Sequence, residues 1–161
     1  MTNRTDPTMD EALGLEETLT ESVRPLTNYE DVLLMHAKFD LPRPARPQLL
    51  EPDAFAFRWK FLIEELEEFG TAHQEGDLER AADGLIDLAY VVIGTAIFMG
   101  LPWQALWNEV QRANLAKERG TNAKRGSFQA DLIKPEGWQG PELAKVLREW
   151  ADHIEKKEET A

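Results

Sequence analysis

Four glutamates crowd into five positions of the stretch FLIEELEEFG, at Glu64, Glu65, Glu67 and Glu68, with apolar residues on both sides. Carboxylates are hard oxygen donors suited to Mg2+ or Mn2+, and they can also hold or deprotonate a water molecule. Like charges three or four apart on a helix repel, so such a cluster adds nothing to helix stability. Either solvent or a bound cation must accommodate it. A second acidic pair follows at Asp83 and Asp87, with Asp87 set among Leu85, Ile86, Leu88 and Ala89. An aspartate in such company is costly to bury unless it is paired or coordinated.

Two helices joined by a tight turn are expected to carry these residues. The first runs from Asp53 to about Gln74, with Trp59, Leu62, Ile63, Leu66 and Phe69 recurring at helical spacing. Gly76 stops it, and Asp77 caps a second that extends to about Met99. The turn QEGD is short enough to make the pair antiparallel. Glu64 shares a helix face with Glu68, and so does Glu65. Counted from Gly76, Glu68 stands at the height of Asp83 and Glu65 at the height of Asp87, since each residue rises about 1.5 Å. Two levels of facing carboxylates result, a layout that suits a hard divalent cation. The plainer alternative is a solvated Glu-rich face, with Asp87 neutralised by Arg58 or Arg80.

Around this pair the chain is expected to build an all-α helical bundle with a four-helix core, as one domain over residues 25–157. Residues 1–24 are acidic and weakly periodic, a flexible tail. Thr27 followed by Glu30 has the form of a capping box and opens a short helix to about Phe39. The proline-rich stretch DLPRPARPQLLEP reads as an extended connector. The helix after Asp77 is apolar nearly all round beyond Asp87, which predicts a central, buried position. Pro102 opens a further helix to about residue 118, with Leu106, Trp107 and Val110 inward. A polar loop leads to Pro141 and a last amphipathic helix, with Leu143, Val146, Leu147, Trp150 and Ile154 inward. No convincing pair of strands is expected.

Composition narrows the function classes. The 161 residues, 42% of them apolar, suffice for one cored domain. With no cysteine there is neither a disulfide framework nor a thiolate metal site. No uninterrupted apolar run reaches the roughly 18 to 20 residues of a membrane span. The first residues lack the basic-then-apolar order of a secretory signal, so a cytoplasmic location is expected. The net charge of −12, from 30 acidic and 18 basic residues, argues against long nucleic acid as a partner. A polyanionic small ligand would need local cations, either metal or side chains. His36, His73 and His153 show no metal-ligand spacing.

The same residues resemble the MazG-like superfamily of all-helical nucleoside triphosphate pyrophosphohydrolases, whose signature is EExxE followed by ExxD. Glu64-Glu65-Leu66-Glu67-Glu68 fits the first half, and Asp87 fits the final Asp. The likeness continues through DGLIDLAYVVIGTAIFMGL, EVQRANLAKERG and KPEGWQGPEL, covering residues 27–147 in the order of the phosphoribosyl-ATP pyrophosphohydrolase-like branch. Within that branch the chain looks most like the dUTP pyrophosphatases. It departs at Gly84, where the first Glu of ExxD would fall, and Asp83 is the obvious substitute.

What the resemblance implies is hydrolysis between the α and β phosphates, with Mg2+ or Mn2+ as cofactor. Glu65, Glu68 and Asp87 are then direct ligands, with Asp83 joining them. Glu64 holds or deprotonates the water or adds a ligand, and Glu67 is a bystander. Asn114 and Lys117, three apart on one helix face, suit a sugar or base edge and a phosphate oxygen. Lys124, Arg125 and Lys134 supply local positive charge, and Lys134 and Trp138 lie in the matching segment. Trp59 and Trp103 could stack on a base, although tryptophan at helical spacing more often fills a core. The implied partners are a nucleoside triphosphate and further copies of the chain, as a homodimer or dimer of dimers. Other functions stay open: the same chemistry on dCTP, a modified nucleotide or phosphoribosyl-ATP, or a helical protein that binds a nucleotide or partner without turnover.

Overall fold

Thr27 forms a full capping box: its side chain accepts from the Glu30 amide, and the Glu30 carboxylate accepts from the Thr27 amide. Helix α1 (Asn28–Lys38) follows, as its sequence predicts. The computed structural model describes residues 25–120 and 131–160. The tail expected over 1–24 and the loop cations Lys124 and Arg125 lie outside the described residues. The prolines after Asp40 keep the chain out of helix until α2 (Pro52–Glu75), which places Pro52 in its first turn, where a missing N–H is harmless. Gly76, at φ 73°, ends α2 in the left-handed region, and the Asp77 side chain caps α3 (Leu78–Phe98) through the Arg80 amide. Helices α4 (Trp103–Leu115) and α5 (Leu143–Glu159) complete an all-α fold of five helices among the described residues.

The antiparallel α2–α3 pair is the most extensive contact among the described elements, with α1 and α4 packed on α3. Small residues line the seam: Ala72 and Ala81 are buried, and so is Gly84. A Cβ added at Gly84 would stand 2.9 Å from the Phe69 amide nitrogen and 3.1 Å from its Cα. The backbones of α2 and α3 therefore meet closely at this point, and only glycine fits between them. The core proper is Val32, Ile93 and Ile97, joined by Tyr29, Leu33, Met35 and Trp103.

Four expectations need correction. Beyond Asp87, helix α3 is buried from Val91 to Ile97 as expected, at Val91, Ile93, Gly94, Ala96 and Ile97, but Tyr90 and Val92 stay 37% and 40% exposed, and Leu85 and Ile86 before Asp87 are 47% and 68% exposed. It is also the one described helix long and apolar enough to cross a membrane by length and composition, yet Asp83 and Asp87 and its contacts with α1, α2 and α4 give it the place of a core helix. Helix α4 stops three residues short of the expected end, because Ala116 caps it and the Lys117 amide closes on the Asn114 carbonyl. The chain then forms a strand, β1 (Glu118–Arg119), antiparallel to β2 (Leu132–Ile133), with Glu118 opposite Ile133. Two-residue strands carry no alternation, so no sequence period announces them. The expected inward residues of α5 are half-buried at best, and none of the helix is fully buried.

Candidate active site

The turn at Gly76 and Asp77 sets the register of α2 against α3, and that register decides which carboxylates meet. Glu65 and Asp87, expected at one height, line a single cavity of about 350 Å3. Glu65 is only 8% exposed. Its carboxyl is held above the usual glutamate range by burial first, then by the charges of Asp87, Glu68, Glu64 and Asp83. Crowding of this kind is relieved by a bound divalent cation, and hard oxygen donors are the right chemistry for Mg2+ or Mn2+. The donor set thus fits such an ion. Among the described residues, however, no three His, Asp or Glu side chains are gathered closely enough to hold one outright.

The other acidic residues are placed differently. Glu64 and Glu68 line a shallow groove together with Lys60, Thr71 and Arg80. Glu67, expected as a bystander, shares that groove. Asp83 is exposed and lines neither cavity. Arg80 is engaged by Glu75 at 2.6 Å across the turn and does not neutralise Asp87.

The floor of the Glu65–Asp87 cavity holds two polar residues that the sequence did not single out for a site. Arg58 lies seven residues before Glu65, about two turns away on the same face of α2. It is 8% exposed, and its guanidinium donates to Thr95 Oγ1 at 3.0 Å and to the Val91 carbonyl at 2.6 Å. Phe61 and Phe98 sandwich it at 5.4 and 5.3 Å. Gly94 makes room: a Cβ there would come within 3.2 Å of the Arg58 Nη2. Arg58 therefore braces α2 against α3 rather than pairing with Asp87. His36, on α1, is buried against Phe98 with its Nδ1 lacking a partner. Burial first, then the Arg58 charge, pull its imidazole below the ordinary value, against a backbone hydrogen bond at Pro42 that raises it. Helical spacing from Val32 to His36, and from Arg58 to Glu65, was the available signal.

A second group forms past the end of α4. Lys117 Nζ donates to Asn114 Oδ1 at 2.8 Å, and the Trp138 indole donates to the Ala113 carbonyl at 2.7 Å. The Trp138 ring carries Lys134 Nζ at 4.4 Å and Lys117 Nζ at 5.9 Å. Asn114, Lys117, Lys134 and Trp138 are thus brought together, although none lines the Glu65–Asp87 cavity. Arg125 lies outside the described residues. Trp59 is 57% exposed beside Phe55, and Trp103 stacks on Tyr29 in the core region.

The all-α bundle and its antiparallel helix pair with facing carboxylates are consistent with a pyrophosphohydrolase of the MazG-like type, the class that the family match supports. More narrowly, the chain belongs to the phosphoribosyl-ATP pyrophosphohydrolase family, whose model matches residues 32–114. That span runs from α1 to the end of α4 and takes in Glu64, Glu65, Glu67, Glu68, Asp83 and Asp87. No curated protein matches the sequence. MazG-like pyrophosphohydrolases are generally divalent-metal dependent, hydrolases that act on a nucleotide pyrophosphate bond.

Proposed function

We propose that the chain hydrolyses the α–β phosphoanhydride of a nucleoside triphosphate, with dUTP as the leading substrate, releasing dUMP and diphosphate. The observation that carries this is Glu65 facing Asp87 in one cavity inside the segment that matches the family. Water oxygen bonds to the α phosphorus while the bond from that phosphorus to the α–β bridging oxygen breaks. The bridging oxygen departs with diphosphate, and the water proton passes to a carboxylate, for which Glu64 is our choice. Glu65, Glu68, Asp87 and Asp83 would hold Mg2+ or Mn2+, which when bound polarises phosphate oxygens and acidifies water. Asn114 and Lys117 contact sugar or phosphate, and Lys134, Trp138 and Arg125 cover the polyphosphate. The preference for dUTP rests on overall sequence likeness. The matching family's own name makes phosphoribosyl-ATP the second substrate to try. We place the enzyme in the cytoplasm.

The chain is proposed to work as a homodimer or dimer of dimers. Leu66, Leu85, Ile86 and Val92 remain 40–68% exposed on the α2–α3 pair, and a second copy would cover them. A size measurement showing a fully active monomer would overturn this. The activity is tested with a panel of deoxynucleoside triphosphates and phosphoribosyl-ATP, with product identification, in Mg2+ or Mn2+ and again with chelator. Metal-dependent release of diphosphate and dUMP is expected. Nucleotide binding with no product at any metal concentration would refute catalysis.

A further inference from the structure

The largest cavity described lies at the opposite end of α3 from the carboxylates, between the proline-rich connector, the start of α4 and the outer part of α5. It has a volume of about 590 Å3, within the roughly 300–1,000 Å3 of small-molecule sites. Its walls include Tyr29, Trp103 and Trp150, and the first two rings are parallel to within 7° at 6.5 Å. The Trp150 indole N–H is buried without a hydrogen-bond partner, an unmet donor that usually finds an acceptor.

Charge in this cavity runs against the rest of the molecule. Arg43, His153 and Lys157 line it and no acidic residue does, in a chain of net charge −12. Nearby, Arg46 is committed elsewhere: it clamps the connector to α5 through Glu155 at 3.1 Å and Glu158 at 2.6 Å. Arg43 and Lys157 form no ion pair among the described residues, so both remain available. Helix α4 begins at the cavity with neither a side-chain cap nor an acidic residue in its first turn, and Gln104 and Ala105 line the wall. Uncapped first-turn amides add a further preference for negative charge.

Flat aromatic walls and an unpaired cationic rim together select a planar ring that carries an anion. We propose that this cavity is a second ligand site, for a phosphorylated planar-ring compound of the nucleoside monophosphate class, separate from the carboxylates. Asp87 and Ile97, which line the two cavities, are about ten residues apart on α3, so about 15 Å separates the two levels. No metal is needed at this second site, because side chains supply its positive charge.

That difference supplies the test. Calorimetric titration of the full chain with adenosine or uridine monophosphate, in excess chelator, should show saturable binding to one site per chain. Uridine alone and inorganic phosphate alone should each bind more weakly. Arg43 and Lys157 are both exposed, so the double variant Arg43→Glu/Lys157→Glu should keep its circular dichroism and lose at least about tenfold in affinity. Glu65→Gln should bind as the unaltered chain does. Absence of saturable binding by either nucleotide would overturn the proposal. So would binding that survives the double reversal but disappears in Glu65→Gln, since that would assign it to the carboxylate cavity.

Discussion

Gly84 offers the sharpest check on how the acidic helices are held. Replacing a helix-interior glycine with alanine normally stabilises by about 1 kcal/mol, because alanine has less backbone freedom to lose. Gly70, inside α2, has nothing within 4 Å of a built Cβ, so Gly70→Ala should show that gain in full. At Gly84 the added methyl meets the Phe69 backbone at 2.9 and 3.1 Å, and backbone cannot swing aside as a side-chain tip can. Forcing an extra carbon into a close-packed seam costs about 1–3 kcal/mol. Set against the same gain of about 1 kcal/mol, Gly84→Ala should range from neutral to about 2 kcal/mol less stable than the unaltered chain. It should fall about 1–3 kcal/mol below Gly70→Ala. Urea unfolding followed by circular dichroism measures all three proteins, with chelator present so that metal does not contribute. Equal upward shifts in both variants would refute the close approach of α2 and α3. Gly84→Glu, which restores the acid of the ExxD pattern, should lose more stability and gain no activity, because its side chain starts against the α2 backbone.

Three further outcomes concern Arg58, Glu68 and Glu109. Arg58→Ala should cost about 2–4 kcal/mol through lost packing and two lost hydrogen bonds, and a change below about 1 kcal/mol in urea unfolding would contradict its bracing role. Glu68→Ala should weaken both Mn2+ binding and diphosphate release, and normal values for both would remove it from the ligand set. Glu109 anchors α5: its carboxylate accepts from Arg112 Nη2 at 2.7 Å and from the Glu142 amide at 2.8 Å, the Arg112 hydrogen bond being the larger cause that lowers its pKa to about 2. A depressed acid contributes its stability above the ordinary glutamate value and loses it as pH falls through about 2. Glu109→Gln should therefore speed amide exchange in α5 at neutral pH and abolish the acid dependence of that protection, whereas identical exchange in both proteins would show the anchor to be idle.

Much of this was legible before any coordinates, for local reasons. The Thr27–Glu30 box, Gly76 and Asp77 act within a few residues, so the helix boundaries they set lie within a residue or so of those observed, while Pro52, expected in the connector, is the first residue of α2. Counting from Gly76 also put Glu65 opposite Asp87 correctly, since a tight turn converts sequence distance into height. Azimuth was harder. A single α2 face was expected for Glu64, Glu65 and Glu68, but residues one apart point about 100° away from each other on a helix. Glu65 accordingly turns into one cavity, and Glu64 and Glu68 border another. Arg58 was weighed only as a counter-ion for Asp87, because nothing in its spacing reveals that Gly94 opens a path to the Val91 carbonyl. The β1–β2 ladder depends on pairing across a loop, which periodicity cannot register.

Two tensions remain within α2 and α3, and they concern the same few turns. Glu65 is buried beside Asp87 with no cationic side chain among the described residues to neutralise it, since Arg58 spends its hydrogen bonds on Thr95 and Val91. Leu85 and Ile86 sit exposed just before Asp87, where an apolar surface gains nothing from water. A solitary chain optimised only for stability would exchange these residues for a paired carboxylate and a polar flank. Their combination is intelligible if the charge awaits a cation and the flank awaits a second subunit. Covering the flank would also strip water from the rim of the Glu65–Asp87 cavity, and a drier rim strengthens every carboxylate–cation attraction inside it. Subunit association and metal affinity should then be linked, each raising the other.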